Sequence, residues 1–170
     1  YGILNGDRLS GRYDYARAGI ALYGVYSEPS PLLEQRFALR PVLSLKARIG
    51  CVRRLQKGEG AGYGLAWKAD GSRQIAAVSL GYADGYPRSL SNQGHALVRG
   101  TRVPVVGRIC MDQLLLDVTE VPKVCPGDEV VFIGRSREQK IRAEEMAKEA
   151  GTISNEILSR MGERLCRFWV

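Results

Sequence analysis

Short apolar segments separated by turns follow one another through most of this 170-residue sequence. From Leu39 the pattern has period two, with one set of alternate residues apolar and the other polar. The apolar set is Leu43, Leu45, Ala47, Ile49 and Cys51, and the polar set is Ser44, Lys46 and Arg48. Such alternation is typical of a β-strand with one buried face. The sequence therefore predicts a half-buried strand here.

Further strands are predicted at residues 74–80, 95–98, 102–106, 113–118 and 128–133. Turn sequences separate them, among them ADGS at 69–72, RGT at 99–101 and CPGD at 125–128. Many short strands joined by turns that contain Gly and Pro favour an antiparallel barrel or sandwich. The expected fold class is therefore mainly β, antiparallel and barrel-like.

Helical spacing is expected only near the carboxyl end. Apolar residues recur there at roughly helical intervals, namely Ile141, Met146, Ala147 and Ala150. Gly151 is placed to end this helix, and Thr152 is placed to cap a second one that ends near Gly162. Residues 164–170 are predicted to form a closing strand, and the proline-containing segment 27–35 is interpreted as a linker.

Composition and the two ends of the sequence set limits on the class of protein. With 45% hydrophobic and 25% charged residues, the chain has the composition of a globular domain. No run approaches the roughly 20 apolar residues that cross a bilayer. The sequence starts at Tyr1 without a methionine, so we expect a piece of a longer protein. A membrane anchor upstream of it remains open.

Cysteine and histidine are distributed in a way that argues against a metal site. The four cysteines, Cys51, Cys110, Cys125 and Cys166, have no CxxC spacing, and His95 is the one histidine. Neither a zinc site nor a Ser-His-Asp triad is expected. Scattered cysteines fit a reducing compartment, in which they act as small buried hydrophobic residues, so we expect a cytoplasmic domain.

The formal net charge of +7 admits an anionic partner. Basic residues are spread along the chain, and the densest group, RRLQK at 53–57, lacks the interleaved aromatic residues of a base-stacking surface. A nucleic-acid partner is therefore not favoured, although an RNA-binding β-barrel stays as an alternative. An anionic small molecule is equally compatible with the charge.

Polar, glycine-rich clusters interrupt the apolar pattern between residues 60 and 113. They read GAGYGLAW, VSLGYADGYPRSL and VVGRICMDQ. Glycine costs backbone entropy on folding, so loops of this composition indicate a functional role. A second candidate lies earlier, where Arg17 precedes Gly19. Free amides beside a glycine can hold an anion, although a tight turn that leads into a strand would explain the same residues.

Five motifs carry a resemblance to a known family. YARAGIALYG, AGYGLAW, LGYADGYPR, VVGRICMDQ and TISNEILSRMGERLCR resemble, in this order, the carboxy-terminal half of alanine racemases that use pyridoxal 5'-phosphate. The resemblance implies an amino-terminal (β/α)8 barrel whose lysine binds the cofactor covalently, followed by a β-rich domain. Residues 1–30 would then be the end of the barrel and a linker, and residues 31–170 the second domain, without the cofactor-binding lysine.

The resemblance also implies roles in proton transfer and cofactor binding. Racemisation needs acid/base groups on both faces of Cα, and Tyr63 matches the tyrosine that one subunit lends to the active site of its homodimeric partner. Arg17 matches the arginine that faces the pyridine nitrogen, and Gly19 and Ile20 match backbone groups near the cofactor phosphate. Asn155 stands where the family has a cofactor-contacting tyrosine.

A change from tyrosine to Asn155 resembles the serine/alanine racemases of vancomycin-resistance clusters, in which a membrane-spanning module precedes the racemase domains. A smaller amide would suit a hydroxymethyl side chain, although simple drift would also explain it. The substrate is thus expected to be alanine or serine. A pyridoxal-phosphate decarboxylase of the same architecture is a further alternative.

Substrate contacts follow from the same resemblance. Tyr82, Met111 and Asp112 match residues that line the substrate site near its carboxylate. Residues of the access channel are matched by Arg88, Arg108 and Ile153, where positive charge would attract an amino-acid carboxylate. Asp84 and Asp112 could instead form a paired acid/base site. Aspartates in glycine turns are common, however, and nothing else in the sequence indicates hydrolysis.

Overall fold

The computed structural model describes residues 14–27 and 30–169. Residues 1–13, 28, 29 and 170 lie outside them, and with them part of the predicted barrel end, of the linker and of the closing strand. The strands are β1 Leu45–Leu55, β2 Gly60–Ala61, β3 Trp67–Lys68, β4 Arg73–Val78, β5 His95–Val98, β6 Thr101–Val106, β7 Leu114–Asp117, β8 Glu129–Ser136 and β9 Gln139–Ile141. The α-helices are α1 Pro31–Arg36, α2 Ala143–Ala150 and α3 Ser154–Ser159.

Antiparallel pairing closes most of these strands into a barrel. The sheet runs in the order β1-β4-β7-β6-β5-β8-β9, and β1 also pairs with β8. Strand β1 serves both neighbours because its first residues, 45–48, face β8 and its later residues, 49–55, face β4. The register shifts between Ile49 and Cys51. Such a bulge bends the strand where it passes from one neighbour to the other.

The barrel interior is the main hydrophobic core. Alternate residues of the strands point inward, as Leu114 and Leu116 do in β7. Tyr86 packs edge-on against Phe132, with ring centroids 5.1 Å apart. Helices α2 and α3 add Met146 and Ile157 to the same cluster. The prediction of a mainly β, antiparallel barrel with two short helices near the C-terminus is confirmed.

Three local predictions were wrong. Helix was expected only near the carboxyl end, but α1 lies within the segment interpreted as a linker, because Ser30 accepts a hydrogen bond from the Leu33 amide and Pro31 opens the helix. In α3 the N-cap position is taken by Ile153 instead of Thr152, with no side-chain cap, and the helix ends at Ser159. Residues 164–169 form no strand, and most of their side chains are exposed.

The cysteines also differ from expectation. Cys51, Cys125 and Cys166 are exposed and Cys110 is half-buried, and all four are free thiols. The bulge in β1 accounts for Cys51, because it turns this side chain outward and places Val52 towards the core. Within the described ranges, no helix is both long and apolar enough to cross a membrane.

Candidate functional site

Two of the loops that join the barrel strands lie against a third. We call residues 60–66 the AGYG loop, residues 81–87 the GYADG loop and residues 107–113 the CMD loop. The GYADG loop contacts the CMD loop through its backbone, and the AGYG loop contacts the CMD loop near Arg108. The structure therefore brings together most of the candidate residues of the glycine-rich clusters between residues 60 and 113.

Backbone hydrogen bonds fix the GYADG loop on the CMD loop. The Tyr82 amide donates to the Cys110 carbonyl at 3.0 Å, and the Ala83 amide donates to the Met111 carbonyl at 3.0 Å. Gly81 makes this approach possible, because a Cβ at that position would lie 2.2 Å from the Met111 carbonyl oxygen. The side chains of Tyr82 and Met111 remain 40% and 52% exposed. They are thus adjacent in space and open to a ligand.

Asp84 holds the GYADG loop from inside. Its carboxylate accepts a hydrogen bond from the Gly81 amide at 2.8 Å, and the residue is buried. Gly85 follows with φ +102°, and a Cβ there would lie 2.2 Å from the Arg160 carbonyl oxygen. The end of helix α3 therefore packs directly on this turn, at a distance that only glycine allows.

Arg164 joins the two loops through their carboxylates. Its Nη2 donates to Asp112 Oδ1 at 2.6 Å, and its Nε lies 3.4 Å from Asp84 Oδ1. The hydrogen bond to Asp112 and the charge of Asp84 raise the pKa of Arg164 above its usual value. Because both aspartates contact one guanidinium, they do not form a free carboxylate pair. The sequence analysis missed Arg164, since its two partners are 52 and 80 residues away.

Tyr63 projects from the AGYG loop into solvent. Its side chain is 69% exposed, and its hydroxyl has no hydrogen-bond partner among the described residues. Gly62, Gly64 and Leu65 around it have positive φ. The Arg108 guanidinium lies beside this loop, with Nη1 3.7 Å from the position that a Cβ on Gly64 would take. A permanent cation therefore sits next to the segment that carries the phenol.

Asn92 connects the AGYG loop to the CMD loop. Its Oδ1 accepts a hydrogen bond from the Gly107 amide at 2.6 Å, and its Nδ2 donates to the Ala66 carbonyl at 3.3 Å. Ser91 adds a bond from the Ile109 amide to its Oγ at 3.1 Å. Asn92 also has φ +59°, a conformation that asparagine tolerates better than most residues. The sequence analysis missed this residue too, although an asparagine two residues before Gly94 is a recognisable hint of a turn.

Of the remaining predicted residues, Arg88 directly follows the GYADG loop, whereas Ile153 and Asn155 lie at the start of helix α3. Arg88 is exposed at the start of a 3-10 helix, Arg88–Leu90. Ile153 is 61% exposed, and Asn155 is exposed in the first turn of α3. Helix α3 reaches the cluster through its other end, by the contact between Arg160 and Gly85. Asn155 forms no hydrogen bond or ion pair with another described residue.

Gly19 and Ile20 lie on a separate element, a 3-10 helix at Gly19–Tyr23, and Arg17 precedes it. Arg17 is exposed, Gly19 has φ +60° with open space where a Cβ would stand, and Ile20 is buried in the barrel core. The turn does not lead into a strand. In residues 14–27 and 30–169, no hydrogen bond or ion pair joins residues 17–20 to the three loops.

The described residues of the site do not cluster as metal ligands. No cluster of three or more His, Cys, Asp or Glu side chains suited to a metal occurs in the described part of the chain. His95 lies 3.3 Å from a Glu149 carboxylate oxygen. What the three loops do offer is two exposed phenols, the exposed apolar side chain of Met111 and the Arg108 guanidinium. Such a set suits proton transfer on an anionic ligand.

Comparison with known proteins gives the family. The family model for the C-terminal domain of alanine racemase matches residues 42–169. An alanine racemase from Halothermothrix orenii is 47% identical over 154 residues, which are 91% of this chain and 40% of that protein.

Two crystal structures have the same fold. An alanine racemase from Bartonella henselae with covalently bound pyridoxal phosphate has a TM-score of 0.80 at 34% identity, covering 89% of this chain and 40% of that one. An alanine racemase from Bacillus anthracis with bound L-Ala-P has a TM-score of 0.76 at 37% identity, covering 85% of this chain and 36% of that one. This chain therefore spans less than half of the proteins it matches, and it belongs to the alanine racemase C-terminal domain family.

Proposed function

We propose that this chain is the carboxy-terminal part of a pyridoxal-phosphate amino-acid racemase. Residues 1–30 would be the end of a (β/α)8 barrel and a linker, and residues 31–170 the β-rich domain. The lysine that binds the cofactor covalently would come from the barrel. The observation that carries the proposal is the exposed side chain of Tyr63. It lies on a glycine-rich loop beside the Arg108 guanidinium, in a chain of this family.

Tyr63 supplies the chemistry of one face of Cα in this proposal. A racemase must remove the α-proton on one side and return a proton on the other, so it needs two acid/base groups. The Tyr63 hydroxyl has no hydrogen-bond partner among the described residues, so it is free to donate or accept the proton on its face. The Arg108 guanidinium lies beside the same loop and brings positive charge to an anionic substrate.

The residues around Gly19 fit the cofactor by their chemistry. The first amides of a 3-10 helix have no carbonyl partner within the helix, and this one has neither a side-chain cap nor an acidic residue in its first turn. Gly19 and Ile20 would hold the phosphate with their backbone amides, Arg17 would donate to the pyridine nitrogen, and Asn155 would lie near the phosphate. Pyridoxal phosphate, when bound, supplies the electron sink that makes the α-proton acidic.

Substrate binding is assigned to the GYADG and CMD loops. Tyr82, Met111 and Asp112 would line the site near the amino-acid carboxylate. Arg88, Arg108 and Ile153 would line the access channel, where the two guanidinium groups attract the anionic carboxylate. Both cations are exposed, which such steering requires.

A second copy of the protein would complete the site. Large apolar side chains of the three loops are exposed, among them Tyr63, Tyr82 and Met111, and so is Ile153 at the start of helix α3. Exposed apolar groups in one region indicate an interaction surface. We propose that Tyr63 and the GYADG and CMD loops close over the cofactor of the partner subunit in a homodimer.

Replacing Tyr63 in the full-length enzyme tests the function. In Tyr63→Phe, exchange of the α-proton with deuterated solvent should continue from one enantiomer and fall about 100-fold or more from the other, the usual value of an acid/base group. The control is Tyr23→Phe, which removes a hydroxyl from a half-exposed tyrosine outside the loops. Exchange from both enantiomers at the wild-type rate would refute the role of Tyr63.

Serine is proposed as a second substrate because of Asn155. An exposed amide at the first turn of α3 leaves more room than a tyrosine and can hydrogen-bond a hydroxymethyl group. In the full-length enzyme, Asn155→Tyr should lower the ratio of serine to alanine racemisation about tenfold, as loss of a hydrogen-bonding partner does. Ser159→Ala, at the other end of α3, is the control. An unchanged ratio would show that Asn155 does not determine the preference between serine and alanine.

A further inference from the structure

Arg164 contacts both of the loops that are assigned to substrate binding. Its 2.6 Å hydrogen bond reaches Asp112 on the CMD loop, and its Nε lies 3.4 Å from buried Asp84 on the GYADG loop. Asp84 also accepts a hydrogen bond from the Gly81 amide at 2.8 Å. One guanidinium from the carboxyl-terminal tail therefore completes a chain of contacts that runs from Asp112 to the root of the GYADG loop.

We propose that Arg164 is a positioning residue for the substrate: it ties the two loops together and neutralises the Asp112 carboxylate beside the bound amino-acid carboxylate. This inference rests on the proposed function. Asp112 carries an exposed negative charge, with 62% of its side chain accessible. Without a cation such a charge would repel an anionic substrate, and the paired guanidinium removes that repulsion.

Other arginines of the tail are engaged elsewhere. Arg160 pairs with Glu156 one helical turn away at 2.6 Å, and Arg167 donates to the Met161 carbonyl at 3.0 Å. In the described part of the chain neither guanidinium pairs with a substrate loop, although the main-chain carbonyl of Arg160 packs on Gly85. Arg160 is therefore a matched control for Arg164, because it is a nearby surface guanidinium in an ion pair of the same length.

A contribution to overall stability would not explain the contact. The Arg164 side chain is 51% exposed, and ion pairs of exposed side chains add little to the free energy of folding. The backbone bonds from Tyr82 and Ala83 join the loops at their centre, and Arg164 adds a second link between their carboxylates. Loss of this link should leave the overall stability unchanged, loosen the two loops locally and so weaken substrate binding.

The test compares Arg164→Gln with Arg160→Gln in the full-length enzyme. Arg164→Gln should raise KM for alanine on the order of tenfold, as loss of a charged hydrogen bond does, with kcat and the melting temperature close to wild type. Arg164→Lys should recover most of the loss, and Arg160→Gln should behave as wild type. In about 1 M salt, where charges act over roughly 3 Å, the difference in KM between Arg164→Gln and wild type should become smaller.

Amide hydrogen exchange gives a readout that does not depend on catalysis. The Tyr82 and Ala83 amides should exchange faster in Arg164→Gln than in wild type and Arg160→Gln. An unchanged KM, or unchanged exchange at these amides, would overturn the proposal, as would an equal effect of Arg160→Gln. A wild-type protein that racemises neither alanine nor serine would contradict the proposed function, and the exchange rates would then decide the role of Arg164.

Discussion

Two regions carry proposed ligand contacts: the paired GYADG and CMD loops, and the 3-10 helix at Gly19–Tyr23. Contacts within the chain fix the first region more firmly than the second. The loops exchange backbone hydrogen bonds from Tyr82 and Ala83, and Arg164 links their carboxylates. The 3-10 helix is anchored by the buried Ile20 side chain and by the Val42 amide, which donates to the Tyr23 carbonyl at 3.1 Å. Arg17 itself has no described partner.

This difference separates two ways of building a binding site. Tyr82 and Met111 are positioned before any ligand arrives, so binding needs little further ordering of their backbone. Arg17 has an exposed, long side chain, which loses rotamer entropy only when a ligand fixes it. Substitutions in the loops should therefore change the stability of the domain, whereas substitutions at Arg17 should change ligand affinity alone.

The largest expected effect comes from Gly81→Ala. A Cβ would lie 2.2 Å from the Met111 carbonyl oxygen, so the backbone of one loop must move. We expect the free energy of unfolding to fall by about 3 kcal/mol, as overpacking does, in chemical denaturation of the full-length protein.

Gly19→Ala is the matched control, because open space surrounds the new methyl group. Its φ of +60° should cost only about 1 kcal/mol for a residue with a Cβ. Equal losses of unfolding free energy in the two variants would show that the two regions are fixed equally firmly.

Asn92→Ala should have a smaller effect than Gly81→Ala. It removes the hydrogen bonds to the Gly107 amide and the Ala66 carbonyl, both near the surface. We expect a loss of about 1.5 kcal/mol in the free energy of unfolding, together with faster exchange of the Gly107 amide. Gln93→Ala, next to it and also exposed, should cost much less. If the two variants were equally stable, Asn92 would not connect the loops.

Local pattern was enough to predict the barrel. Alternating residues and turn glycines depend on near neighbours, and the strand at His95–Val98 has the predicted bounds. The predictions failed where a helix cap or a β-bulge determined the local structure. Ser30 and Pro31 begin a helix inside a segment that its prolines marked as a linker, and a bulge reverses the face of Cys51.

The candidate site was predictable in part for the same reason. Tyr63, Tyr82, Met111 and Asp112 lie in glycine-rich motifs that can be recognised in the sequence, and the structure places the last three on two touching loops. Arg164 could not be predicted, because nothing in its neighbourhood indicates a partner 52 residues away. The sequence also cannot tell that Arg17 and the loops differ in how firmly they are held.

The smallest effect on stability is expected for Arg17→Gln. Because no other described residue contacts this guanidinium, the free energy of unfolding should change by no more than about 0.5 kcal/mol. The dissociation constant of pyridoxal phosphate from the full-length enzyme should nevertheless rise about tenfold, measured by titrating the apoenzyme and following cofactor absorbance. Arg40→Gln, at another exposed arginine, should leave both quantities unchanged. A clear loss of stability in Arg17→Gln would mean that the chain itself fixes this residue, and the distinction between a site positioned in advance and one ordered by its ligand would fail.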